Sequence, residues 1–125
     1  MKFMCFCYYD PNQFANLTAE DLKAIPEACK PHDEALNASG KMVLLGSLTE
    51  AETCRSIRPG RERPSVTEGS FQTTQEQVGA FFVVEAQDIE EAIEIASLHP
   101  SAHLGNYFGG GIEVRPCEFF EVYAR

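Results

Sequence analysis

In KFMCFCYY, residues 2–9, apolar and aromatic side chains fall on both faces of an extended chain. Phe3, Cys5, Cys7 and Tyr9 alternate with Met4, Phe6 and Tyr8, so neither face of this strand is written for water. VGAFFVVEA, around Phe81 and Phe82, is apolar on both sides as well. A sheet built on two such strands must be covered twice, by helices on one side and by a further layer on the other.

The segments between these strands supply the helices. LTAEDLKAIPEACKPHDEALNASG opens with Thr18 and Asp21 as a variant capping box and closes at Gly40. Leu22, Ile25, Cys29, His32 and Leu36 step by three and four along one helical face, which turns Cys29 and His32 toward the core. Pro26 and Pro31 each lack the N–H that bonds one turn back, which predicts a kink or split near residue 30. DIEEAIEIASLHP is a second helix with Asp88 as N-cap and Glu91 completing a capping box. Its predicted buried face is Ile89, Ala92, Ile93 and Ala96, and Pro100 ends it.

KMVLLGSL reads as a strand, TCRSIRPGRERPSVT as a hairpin turning at Pro59-Gly60, and GIEVRPCEFFEVYA as a last strand with Pro116 at a bulge or an edge. DPN after the first strand reads as a turn. The order is therefore β-α-β, hairpin, β-α-β, with no repeat or low-complexity linker across residues 1–125, which describes one domain. It predicts an α+β fold, the ferredoxin-like split βαβ with an inserted β-hairpin. Both helices cover one sheet face. The other exceeds the apolar patch a monomer tolerates, so a homodimer through the sheet face is expected, burying on the order of 800 Å² per partner.

Net charge is −9, which leaves no basic surface for phosphate neutralisation and argues against nucleic acid. No apolar run approaches the ~20 residues of a membrane span. The N-terminus reads as a strand without a cleavage site, so a cytoplasmic chain is expected, with its five cysteines as free thiols. Cys5 and Cys7 lack metal or redox spacing and are expected in the core.

VTEGSFQTTQEQVGAFFVVEAQDIEEAIEIASLHP followed by GIEVRP resembles the DGPF branch of the YCII-related family. The likeness runs from KFMCFCY through ASGKMVLLGSL to the end of the chain, and it implies the dimeric α+β barrel. Enzymes among the wider family resemble lyases or dehydrochlorinases of small, often aromatic, compounds. They use a histidine on the first helix and an aspartate before the proline that follows the second. Here those positions hold Cys29, with His32 a turn later, and His99. Glu68 and Ser70 replace the Asp and Pro of the family's DGPF signature, while Gly69 and Phe71 remain.

The candidate catalytic set is therefore His99 with His32 or Cys29, since an imidazole near neutral pKa shuttles protons and a neighbouring cysteine is open to activation. The structural alternative has Cys29 in the core, His32 partly buried and hydrogen-bonded, and His99 as a helix C-terminal residue stabilised by the dipole. Candidate ligand contacts are Glu68, Arg55 and Arg58 of the arginine-rich hairpin, and Tyr107 and Phe108 of the glycine-rich LGNYFGGG loop. No metal is expected, because Pro100 breaks the helix that would align His99 with His103, and no redox cofactor is implied. Two functions fit: a cofactor-independent lyase or isomerase acting on a small aromatic or anionic molecule, or a non-catalytic ligand-binding or regulatory homodimer.

Overall fold

A computed structural model describes residues 1–124. Four strands form an antiparallel sheet in the order β2-β5-β1-β6, with β1 Lys2–Tyr9, β2 Met42–Ser47, β5 Gln77–Glu85 and β6 Gly111–Pro116. The two doubly apolar strands are thus the central pair, with Phe3 opposite Val84 and Cys5 opposite Phe82. This is the ferredoxin-like α+β arrangement. The hairpin β3 Arg55–Arg58 and β4 Ser65–Glu68 is inserted between β2 and β5 as a separate two-stranded sheet.

One face of the sheet is the core. Phe3, Cys5, Cys7, Phe82 and Val84 pack there against Leu36 of α2 (Ala19–Ala38) and Ala92, Ile95 and Ala96 of α3 (Ile89–Ala96). Cys5 and Cys7 are core residues, as their spacing predicts. In α3 the buried face takes Ile95 in place of Ile93, which is 49% exposed. Asp88 caps α3 by accepting from the Glu91 N–H, whereas the Glu91 carboxylate reaches the Gln87 N–H, one residue before the cap.

The Thr18–Asp21 capping box opens α2, and the helix then runs unbroken for 20 residues past Pro26 and Pro31. The expected split is absent. Leu36 alone of the five-residue stripe is fully buried, and Leu22 is 49% exposed. The helix therefore meets the core only near its C-terminus and stands off the sheet before that.

Two short helices complete this end of the fold. The DPN turn is in fact the start of α1 (Pro11–Ala15), with Asp10 accepting from the Asn12 and Gln13 N–H groups and Pro11 in the first turn, where its missing N–H costs nothing. The glycine-rich segment holds α4 (Gly105–Phe108), tied to α1 by the Gln13 side chain, which donates to the Gly105 and Asn106 carbonyls. No helix among the described residues is long and apolar enough to cross a membrane.

Candidate functional site

A cavity of ≈ 660 Å³ lies where α2 stands off the sheet, within the size range of small-molecule sites. Its sheet side mixes small residues, Cys7, Gly46, Ser47, Gly79 and Ala80, with larger ones such as Tyr9, Met42 and Leu45. Its helix side is the α2 surface carrying Cys29, Asp33, Leu36 and Asn37. Phe14 of α1 and Phe108 of α4 stack at the mouth with centroids 6.3 Å apart, and Tyr9 meets Phe14 edge-on at 6.0 Å.

His99 enters this cavity from the connection after α3. Its backbone begins a 3₁₀ turn, Pro100–Ala102, and its Nδ1 accepts the Ser101 N–H at 3.0 Å. His99 is therefore an N-cap, and the dipole it meets is the positive end of a turn rather than the negative end of α3. The ring lies flat on Phe82, centroids 4.7 Å apart and 4° from parallel. With Nδ1 accepting, the proton of the neutral ring sits on Nε2, whose nearest protein partner is the Cys7 sulfur at 3.9 Å. Burial pushes the imidazole below its ordinary value, and the Asp33 charge acts against that shift. The result is a neutral ring presenting an N–H donor to the cavity.

Asp33 is the cavity-lining carboxylate that sequence reasoning missed. It follows Cys29 by one helical turn, so both face the cavity, while His32 is rotated off that line by roughly 60°. The His32 ring instead stacks on His103 at 4.5 Å, and His103 Nε2 donates to the Ser97 carbonyl. Of the three candidate catalytic residues, Cys29 and His99 line the cavity and His32 does not. Burial first, and Asp33 second, push the Cys29 thiol up, so it is a neutral thiol rather than a thiolate. Burial likewise pushes Cys7 up to about 11, against a hydrogen bond with the Ser101 side chain.

The candidate ligand contacts separate in the same way. Phe108 lines the cavity, and Tyr107 packs edge-on against it without reaching the lining. Arg55 pairs across the hairpin with Glu68 at 3.7 Å, and Arg58 lies over the Phe71 ring at 3.9 Å while donating to its carbonyl. None of these three charged residues is part of the cavity wall. Among the described residues, no three His, Cys, Asp or Glu side chains converge as metal ligands.

Residues 1–116 match the YCII-related domain. The chain belongs to that family. A solved structure, 5-chloro-2-hydroxyhydroquinone dehydrochlorinase from Burkholderia phenoliruptrix AC1100 in complex with 2,5-dihydroxybenzoquinone, is similar at 16% identity over 94% of each chain, with a TM-score of 0.48. No curated protein matches the chain.

In this YCII-related chain the helix contributes a carboxylate, Asp33, and the residue before Pro100 is an imidazole, His99.

Proposed function

We propose that this YCII-related protein is a cofactor-independent lyase or isomerase acting on a small ring compound in the cavity between α2 and the sheet. The observation that carries the reading is that His99 and Asp33 line one largely apolar cavity, with the Asp33 charge acting on the His99 ring. The Asp33 carboxylate removes a proton from a ring carbon beside a carbonyl, such as the keto tautomer of a hydroxylated ring presents. The electron pair moves toward the oxygen, where the His99 Nε2–H donates a hydrogen bond to the developing charge. In an isomerisation Asp33 returns the proton to another carbon, and in an elimination a leaving group departs with the electron pair. A neutral imidazole suits this donor role, since it strengthens its bond as charge appears without having to be deprotonated.

The protein is also proposed to act as a homodimer through the sheet face opposite the helices. Met4, Phe6, Phe81 and Leu44 share that face by register, with Glu113 and Arg115 at its β6 margin. Sedimentation showing a stable monomer at micromolar concentration would remove this part of the proposal. Five free cysteines accord with a reducing compartment such as the cytoplasm.

The test of the site is a thermal-shift screen with mono- and dihydroxylated benzenes, followed by product analysis for any compound that stabilises the protein. Compounds that bind the wild type should lose their shift in His99→Asn and in the cavity-filling Ala80→Leu. Shifts that persist in both variants place binding elsewhere and overturn the reading. Binding without turnover would favour the ligand-binding alternative.

A further inference from the structure

The charge of the cavity lining selects among ring compounds. Among the described residues, Asp33 and Glu50 are its only charged residues, and no Lys or Arg lines it. Glu50 stands at the mouth, just before a 3₁₀ turn whose Ala51 N–H donates to the Tyr9 hydroxyl at 2.9 Å. That bond brings the Glu50 segment to the end of β1 where Tyr9, Phe14 and Phe108 form the aromatic rim. Among the described residues, neither Glu50 nor the adjacent Glu52 has a cationic side chain within 4.0 Å. The neighbouring Glu52 pushes the Glu50 carboxyl up from its ordinary value, and both side chains are exposed.

A carboxylate at the mouth without a cationic partner attracts a cation placed beside it. Aromatic faces add attraction for the same ligand charge through their quadrupoles. An anionic group in this mouth meets the reverse: like charge from Glu50 and Asp33, no lining cation among the described residues, and a whole-chain charge of −9 that repels it on approach. The arginines that suggest an anion site in the sequence are committed to Glu68 and Phe71 on the hairpin.

Resting on the reading of the cavity as the site, we infer that its ligand is a ring compound bearing a protonated amine. The ammonium sits between Glu50 and the aromatic rim, and the ring points inward toward Asp33 and His99. This class replaces the anionic one among the sequence expectations.

Three probes share one ring and differ in charge: tyramine, 4-ethylphenol and 4-hydroxyphenylacetate. In calorimetric titrations at neutral pH and low salt, tyramine should bind at least about tenfold tighter than 4-hydroxyphenylacetate, a modest demand on Coulomb terms discounted for exposure. Glu50→Gln, a substitution at an exposed position, should erase most of that preference and leave 4-ethylphenol unchanged. A 4-hydroxyphenylacetate affinity equal to or above that of tyramine, or a preference that survives Glu50→Gln, overturns the inference. If 4-ethylphenol binds and Ala80→Leu blocks it while tyramine gains nothing, the charge selection fails and the site stands. If none of the three binds, or Ala80→Leu has no effect, both fall together.

Discussion

His99 is placed to do two separable things, and a pair of substitutions separates them. Its Nδ1 caps the Pro100–Ala102 turn through the Ser101 N–H, and its ring face covers the fully buried Phe82. Removing an N-cap acceptor costs about 1 kcal/mol. Removing an aromatic stacking partner costs about 1 kcal/mol more. The space vacated joins a cavity that already exists, so no new enclosed void is added to the sum. His99→Ala should therefore lose about 2 kcal/mol, while His99→Asn keeps a side-chain oxygen for the cap and should lose about 1 kcal/mol. Urea unfolding at fixed protein concentration reads both, with unchanged m-values confirming that the same surface unfolds.

The pH dependence supplies the second half of this test. Burial lowers the folded-state pKa of His99 below its ordinary 6.5, so in the window beneath that value the unfolded chain binds a proton that the native protein does not. Stability then rises with pH across the window, because the unfolded state holds more protons. The contribution of the neutral ring is fully present above the ordinary value and declines as pH falls toward the depressed one. His99→Asn removes this slope, so the stability gap between wild type and variant should narrow on acidification. Equal losses in the Ala and Asn variants, or a gap that widens below neutrality, would refute the capped, neutral His99 on which the mechanism depends.

Asp33→Asn removes the charge that partly offsets burial, so the His99 titration followed by NMR should move to lower pH; movement upward would contradict their coupling. Alkylation with iodoacetamide at mildly basic pH should leave native Cys5 and Cys7 unmodified, since burial pushes them up to about 12 and about 11, and modify them on unfolding. Slow labelling of Cys29 in the same experiment should be suppressed by any ligand that fills the cavity. Gly110→Ala should cost about 1–3 kcal/mol by denaturation, because this residue holds φ at +65° and a Cβ there would lie 2.1 Å from the Tyr8 carbonyl oxygen. A neutral outcome would mean that the α4–β6 connection rebuilds itself.

Most of the fold is legible in the chain because the patterns are redundant. The β1 and β5 segments are apolar on both faces, α2 and α3 open with capping residues, and the order of elements leaves few sheets to build. The departures share one cause: local signals with two readings, decided by contacts far away in sequence. Asp10-Pro11-Asn12 serves a turn and a helix start equally well, and the packing of Phe14 on Tyr9 and Phe108 selects the helix. Pro26 and Pro31 give up two bonds to the preceding turn, yet α2 continues because much of that helix is exposed and water can satisfy the freed carbonyls. At the site, Cys29 and His99 are found by counting positions. Asp33 is hidden because a carboxylate on an amphipathic helix ordinarily marks the solvated face.

The position of Asp33 becomes intelligible once the cavity itself needs an explanation. An ordinary ferredoxin-like core would press a helix such as α2 onto the sheet along its whole length with Leu and Ile at the inward positions. Here the cavity side of α2 carries Cys29 and the exposed Asp33 and Asn37, and only Leu36 reaches the core. The sheet opposite sets Gly46, Ser47, Gly79 and Ala80 among its larger residues and leaves the gap unfilled. Each choice forgoes burial worth roughly 1 kcal/mol per methylene, so the unfilled space lowers stability at several positions together. A carboxylate, a thiol and an amide along the open side of this cavity add nothing to the packing of α2 on the sheet, and they suit the ligand proposed to occupy it.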